Sequence, residues 1–337
     1  MTVVVPVRNG AAFLRESLDS ILGQSYPSLE VVVMDDDSTD ETRDILAEYV
    51  ERGVMVVHQA EARGIYANAN DGIVRAHGEF VAVFHADDVY EPNLVERQVD
   101  FLRRHPKTGA VFASDIFIDA TGREFGRLRL PHDVPAAKPL DYGDVVNALL
   151  MHKNSFLRCP SAVVRASVYA DVGLYDQAQF KNTSDLEMWL RIARKYELAV
   201  LDEHLFRYRR GHGSSSERYH TLRTDEERFF TIVDRELRLH ASGVASAAAL
   251  RAYETHRAAD VAVRAAALYI NGDLVAAREL LGRVRTGRLR TPSGRFHARL
   301  AALVLVLRVA VRLPRSHAVA GGFQRRWHSS STRLAAR

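Results

Sequence analysis

The sequence predicts an α/β protein, a mostly parallel sheet flanked by helices and followed by a helical C-terminal region. Three observations predict it. Short β-branched runs alternate with amphipathic segments from Thr2 to about Ser114. Acidic residues cluster directly after two of those runs. Beyond Tyr219 the chain turns to Ala, Leu, Val and Arg at helical spacing, with few strand formers. Strands separated by helices make parallel neighbours covered on both faces.

Taken in order, Val3 to Val7 is the first strand. Ala11 to Gln24 follows as a helix, with Phe13, Leu14, Leu18, Ile21 and Leu22 at helical spacing. Leu29 to Met34 is the second strand. Ser38 and Glu41 have the Ser-x-x-Glu spacing of a capping box, opening a helix that runs to about Glu51. Val54 to Val57, a helix from about Ile65 to Ala76, Phe80 to Phe84, a helix opened by Pro92, and Ala110 to Ala113 complete the alternation. Between Asp115 and Tyr219 the pattern fails: an extended, Pro-bearing stretch (Leu128 to Asp141) precedes helices expected around Tyr142 to Met151 and Asp185 to Tyr196. The C-terminal region is expected to be helical, with breaks near Gly272, Gly282 and Pro292 to Gly294. No internal repeat of fixed period is visible. The expected division is therefore 1–219, made of halves 1–114 and 115–219, and a basic helical region 220–337.

Composition narrows the function. The 337 residues are 47% hydrophobic and 26% charged, which excludes a disordered or fibrous protein. One cysteine, Cys159, excludes an internal disulfide framework or a cysteine zinc cluster and fits a reducing cytoplasm. It reads as a small buried hydrophobe beside Pro160. The N-terminus MTVVVPVRNG lacks the features of an export signal. The longest apolar stretch, Leu300 to Leu307, is closed by Arg299 and Arg308, far short of the roughly 20 residues of a spanning helix. The net charge of +4 is uneven, because Leu280 to Arg337 holds 13 Arg and no Lys, Asp or Glu, leaving −9 on residues 1–279. An acidic body with a basic tail argues against a general nucleic-acid binder and for a tail that meets something anionic, a membrane face or an acidic partner. Leu300, Leu303, Val304, Leu307 and Val311 fall on one helical face, with Arg308 and Arg312 on another and Arg325, Arg326 and Trp327 beyond. This is the pattern of an interfacial helix, or of one packed on its own protein.

In an open parallel sheet, ligands bind outside the carboxyl ends of the strands. Two such ends are acidic: Asp35, Asp36, Asp37 and Asp40 after the second strand, and His85, Asp87 and Asp88 after Phe80 to Phe84. Clustered carboxylates repel unless a cation or hydrogen-bond donors compensate, and a divalent ion with oxygen ligands could also neutralise a diphosphate. The alternative for Asp37 and Asp40 is a helix-capping role.

These residues carry a resemblance. The opening VVVPVRNGAAFLRESLDSILGQSYPSLEVVVMDDDSTDET resembles that of family 2 glycosyltransferases. Four more blocks follow in the family's order: RGIYANANDGIVRAHGEF, VFHADDVYEPNLVE, TSDLEMWLRIA and RYRRGHGSSS. Together they cover about residues 2–217. The resemblance implies a GT-A fold, a nucleotide-diphosphate sugar donor, Mn or Mg, and inversion at the anomeric carbon. It implies Pro6, Val7 and Asn9 at the nucleotide edge, Asp35 ending the strand beside it, and Asp36 on the nucleobase. A carboxylate there accepts from a base N–H, which uracil offers, so UDP is favoured, with dTDP and GDP open because thymine and guanine offer a comparable donor. Asp87 matches the metal ligand of the family's D-x-D pair; His85 replaces the first acid, and Asp88 adjoins. Asp185 matches the catalytic base, while Ser184 stands where the family has Glu. Glu187 is the other acid on that helix. Arg209 and His212 are candidates for a cation clamp on the diphosphate. Arg63 is a sugar or phosphate contact, or a loop charge. Asn70 orients the donor, or bonds to a loop backbone. Trp189 reads as a core aromatic and Trp327 as an interfacial one. The acceptor is expected to be a saccharide or lipid-linked saccharide at the inner membrane face. The rival functions are a non-catalytic sugar-nucleotide binder, suggested by His85 and Ser184, and a nucleotidyltransferase, disfavoured because no Gly-rich triphosphate loop follows the first strand.

Overall fold

The computed structural model describes residues 1–211, 223–284 and 295–312. The chain divides into two compact units, 1–212 and 213–337.

The first unit is built on one sheet whose strands lie in the spatial order 55–58, 30–35, 2–7, 80–83, 163–165, 108–118, 197–209 and 89–90, with 124–127 paired to 108–118. Strands β1 (Thr2–Val7), β2 (Glu30–Asp35), β3 (Met55–His58) and β4 (Phe80–Val83) run parallel. Helices α1 (Leu14–Leu22), α2 (Thr42–Val50) and α3 (Ile65–Arg75) connect them. β1 is buried along its whole length, as a β-branched run covered on both faces must be. Gly72 lets α3 lie close on β1 and β2: a Cβ there would sit 2.3 Å from Val4 Cγ1 and 3.0 Å from Met34 Cγ.

The second half is mixed. After β5 (Val89–Tyr90) and α4 (Leu94–Arg104), β6 (Thr108–Ile118) is followed by β7 (Glu124–Arg127) and α5 (Tyr142–His152). β8 (Val163–Arg165) lies antiparallel between β4 and β6. Helices α6 (Ala166–Val172), α7 (Gln177–Phe180) and α8 (Ser184–Ala193) precede β9 (Glu197–Arg209), which is parallel to β6 and antiparallel to β5. The expected α/β class and the parallel first half stand. Ala110 to Ala113, expected to close the parallel alternation, belongs instead to the mixed half. Two strands of that half, β8 and β9, carry no alternation of their own that sets them apart from the surrounding apolar residues.

The Ser-x-x-Glu capping box is not formed. α2 begins at Thr42 without a side-chain cap, because Ser38 Oγ accepts from Asn9 N (2.9 Å) and Asp40 accepts from Ala11 N (3.2 Å) and Thr42 N (3.1 Å). These polar groups tie the β1 loop to the β2 loop.

The second unit, as described, holds α9 (Arg228–Leu239), α10 (Ala247–Asn271), α11 (Leu274–Gly282) and α12 (Arg295–Ala310). Ser246 caps α10, Gly272 ends it in the left-handed conformation (φ 91°), and Asp273 caps α11. Ala262, Ala265, Ala266 and Tyr269 of α10 share a buried cluster with Leu280 and Leu281 of α11 and with Val304, Leu307 and Val311 of the tail. Of the two readings of this tail face, the one packed on its own protein holds for Leu303, Val304, Leu307 and Val311, which the unit's own helices cover; the side chain of Leu300 lies outside the described residues. Arg308 donates to Leu281 O (3.1 Å) and Val284 O (2.6 Å), closing the carboxyl end of α11. No helix among the described residues is long and apolar enough to cross a membrane. Arg325, Arg326 and Trp327 lie outside the described residues.

Candidate active site

The site lies at the carboxyl ends of β1, β2 and β4, at the point where the strand order reverses. Val7 O accepts from Asp36 N (2.8 Å), which holds the first two strand ends together just past Pro6. Asn9 takes a left-handed conformation (φ 51°), and its Oδ1 accepts from Thr39 N (2.8 Å). Asp35 is wholly buried and accepts from Ser38 N (3.1 Å), Arg43 Nε (3.0 Å) and His58 Nδ1 (2.8 Å). Burial pushes its carboxyl up, but these bonds outweigh it and hold the group below its usual range.

Asp36 accepts from the backbone N–H groups of Arg63 (2.7 Å) and Gly64 (2.9 Å), clamping the loop that enters α3. The Arg63 guanidinium pairs with Asp71. The Asn70 amide is bonded at both ends to the Tyr175 backbone, at 2.8 and 3.0 Å. Of the two roles open to Asn70, the geometry gives the loop-bonding one.

The second acidic cluster is assembled by β5 and β9. Pairing of Val89 with Arg207 and of Tyr90 with Phe206 carries the preceding turn to the end of β9. There His85, Asp87 and Asp88 bring one ligand atom each within 4.8 Å of one another. Asp88 is fully buried; Oδ1 accepts from Arg209 N (2.8 Å), while Oδ2 has no hydrogen-bond partner. Burial first, and then the neighbouring Asp87, pushes the Asp88 carboxyl well above its usual range. Burial also lowers the His85 imidazole. An orphaned carboxylate oxygen beside a second acid and a neutral imidazole is a set that a divalent cation satisfies, so the residues fit Mn or Mg. Asp88 thus joins His85 and Asp87 as a candidate ligand.

Arg209 is not a mobile clamp. It ends β9, is 2% exposed, and donates to Asp87 O (2.9 Å), Asp119 O (3.1 Å) and Glu16 Oε2 (2.5 Å), with its guanidinium 4.6 Å from the Phe13 ring. It braces the turn that carries the acids. Its intended companion, His212, lies outside the described residues.

Asp185 stands in the first turn of α8, anchored by buried Leu186, Met188, Trp189, Leu190 and Ile192. Desolvation raises its pKa to about 6, against hydrogen bonds from the Leu186 backbone and the Tyr66 hydroxyl. Glu187 is held by Arg191 (2.7 Å), which also donates to Val172 O and Leu174 O, so this acid belongs to the helix packing. Ser184 Oγ donates to Lys181 O (2.6 Å), giving the residue that replaces the family Glu a backbone partner. Trp189 is wholly buried, edge-on to Phe112 (4.9 Å). The sequence reading passed over Arg158, whose guanidinium acts on both Asp185 and Tyr208. Tyr208 in turn feels Asp87 and Asp88. Arg158 sits in a loop without periodicity, where no spacing signal singles it out.

Residues 2–173 match glycosyl transferase family 2. The chain belongs to glycosyltransferase family 2. Among curated relatives, an uncharacterized glycosyltransferase of Rickettsia felis is 28% identical over 58% of this chain and 31% of its own length. The putative teichuronic acid biosynthesis glycosyltransferase TuaG of Bacillus subtilis is 26% identical over 62% of this chain and 78% of its own. The chain spans between about a quarter and three fifths of the length of the Rickettsia relatives it matches. The fold is shared with S. aureus TarS 1–349 in complex with UDP-GlcNAc (TM-score 0.53, 17% identity, 92% of this chain and 91% of that one). It is also shared with the mannosyltransferase PcManGT from Pyrobaculum calidifontis in complex with GDP-Man and Mn2+ (TM-score 0.51, 21% identity, 94% and 87%). The family's GT-A fold accounts for the parallel first half and its acidic strand ends.

Proposed function

We propose that the protein is an inverting, metal-dependent glycosyltransferase that moves a sugar from a UDP-sugar to a hydroxyl of a saccharide or lipid-linked saccharide acceptor. The carrying observation is Asp185, a carboxyl raised to about 6 that feels the charge of Arg158, whose guanidinium carbon lies 5.7 Å from the ring of Tyr208, next in sequence to the Arg209 that braces the turn bearing His85, Asp87 and Asp88. An inverting displacement needs a base on the face opposite the leaving nucleotide. Asp185 accepts the acceptor hydroxyl proton on its carboxylate, and Tyr66 holds that carboxylate in place. His85, Asp87 and Asp88 would hold the ion, which when bound stabilises charge on the departing diphosphate. Pro6, Val7 and Asn9 form the edge for the nucleotide, with Asp35 and Asp36 setting its shape and Arg63 beside it. TarS bound to UDP-GlcNAc supports a UDP-sugar, and the name of TuaG supports an envelope polysaccharide as the product. The exposed side of α12 together with the Arg-rich tail supports work at the cytoplasmic membrane face.

Two variants test the assigned roles. Asp87→Ala is expected to abolish transfer and weaken Mn-dependent donor binding at least tenfold. Asp185→Asn is expected to spare donor binding and lose turnover by a factor of about a thousand or more. Equal loss of nucleotide affinity in both variants contradicts the roles. Tight metal-dependent binding with no turnover of any donor would favour a sugar-nucleotide binder.

A further inference from the structure

Asp115 and Arg158 form a charge pair outside the acidic cluster. Asp115, near the end of β6, is wholly buried, yet neither carboxylate oxygen has a hydrogen-bond partner among the described residues. Arg158 Nε lies 3.3 Å from Asp115 Oδ2, close enough for an ion pair but without hydrogen-bond alignment, and it too lacks a partner. A pair kept only for structure is normally satisfied, because each unmade bond of a buried group costs about 1–3 kcal/mol. Here three polar atoms wait.

The guanidinium is delivered by rigid parts. Arg158 directly precedes the short 3-10 turn Cys159–Ser161. Ser161 Oγ donates to Ala113 O (3.2 Å) and accepts from Ala113 N (3.1 Å), and Gln98 Nε2 donates to Ser161 O (2.7 Å). The guanidinium carbon lies 5.9 Å from the Phe117 ring centre and 5.7 Å from that of Tyr208, which confine its plane. Arg158 keeps 25% side-chain exposure against none for Asp115, so a ligand meets the pair through the arginine. Tyr208 directly precedes Arg209, which donates from its backbone N–H to Asp88 Oδ1 (2.8 Å) and from Nε to Asp87 O (2.9 Å), so Arg158 stands one ring away from the residue that braces the acidic turn, and Asp185 feels its charge. In a displacement, the glycosyl unit occupies the space between base and diphosphate.

We propose that Arg158 is a donor-sugar contact, its guanidinium fork taking a pair of oxygens on the transferred glycosyl unit, with Asp115 as the positioning residue that fixes its Nε edge. The inference rests on the glycosyltransferase reading and adds a specificity residue to it. A planar fork suits two neighbouring oxygens, either vicinal hydroxyls or a uronate carboxylate, and Lys cannot reproduce it.

The test is calorimetry with Mn2+ on the full chain, comparing UDP with UDP-GlcNAc, UDP-glucose and UDP-glucuronic acid, and GDP with GDP-mannose. For donors that the wild type binds, Arg158→Met is expected to weaken the nucleotide sugar at least tenfold while leaving the bare diphosphate within twofold. Arg158→Lys should recover little of the loss, and Asp115→Asn should weaken the same sugars less. A loss confined to UDP-glucuronic acid identifies the oxygen pair as a carboxylate; a loss across the neutral sugars identifies it as hydroxyls. If removing one charge unfolds the protein, the double variant Arg158→Met/Asp115→Asn, which orphans neither, carries the comparison. Equal weakening of diphosphate and nucleotide sugar, or no weakening of either, overturns the inference while leaving the glycosyltransferase reading intact. A wild type that binds no nucleotide or nucleotide sugar overturns both.

Discussion

A carboxyl that titrates near neutrality serves as a base only when it is ionised, and the burial that raises Asp185 to about 6 therefore sets a pH limit on turnover. Below pH 6, kcat/KM is expected to fall about tenfold per unit. Stability moves the other way. Because the folded pKa lies above the unfolded value of 3.8, the folded state binds more protons between those two values, and this group stabilises the fold as pH falls through about 6 toward 4. At pH 7.5 the ionised, desolvated group costs up to about 3 kcal/mol. Asp185→Asn removes that charge and is expected to raise the urea midpoint at pH 7.5, with the gain shrinking toward pH 4. A variant less stable than the wild type at pH 7.5 would mean that the carboxylate is held by stronger bonds than those to Tyr66 and Leu186.

Packing between elements explains why part of the site was readable in advance and part was not. The β1, β2 and β4 runs are apolar and largely β-branched, and those of β2 and β4 are followed by acids, so both the parallel half and the Asp35, Asp36, Asp87 and Asp88 positions follow from periodicity and strand ends. Arg209 and Asn70 show the opposite case. Each residue type suits ligand binding, and only the tertiary contacts with Glu16, Asp119 and Tyr175 reveal that the polar atoms are taken. Arg158 was invisible because its partner Asp115 is 43 residues away and the pairing is made by the insertion of β8 between β4 and β6. The block that carries Gly72 is instead legible as packing. Any side chain there must displace Val4 and Met34, both wholly buried, and α3 cannot retreat without releasing Gly64 from Asp36. Gly72→Val is therefore expected to destabilise the first unit by about 1–3 kcal/mol and to weaken donor binding with it. Chemical denaturation followed by tryptophan fluorescence reports on this directly, since Trp189 lies in the same unit.

Charge separates the ends of the whole molecule, with −9 on residues 1–279 and an excess of Arg after them. The apolar face expected to meet a bilayer is buried against α10 and α11. Leu305, Val306 and Val309, however, are 64%, 52% and 53% exposed, a second stripe on the other side of α12, and Arg312 is exposed as well. An apolar stripe within a segment of 13 Arg and no acid suits an anionic bilayer surface, where each basic residue contributes on the order of 1 kcal/mol at low salt. Truncation is a poor test, because deleting residues past 294 strips Val304, Leu307 and Val311 from the cluster and leaves Tyr269, Leu280 and Leu281 without cover. Leu305→Glu with Val309→Glu alters only exposed positions. The full chain is expected to float with vesicles containing phosphatidylserine but not with pure phosphatidylcholine, to lose that binding between 0.1 and 0.5 M salt, taken as roughly the range over which screening grows strong, and to lose it in the double variant at unchanged thermal stability. Flotation of the double variant equal to that of the wild type would assign the attraction to the arginines alone, and wild-type indifference to anionic vesicles would remove the membrane from this region's role.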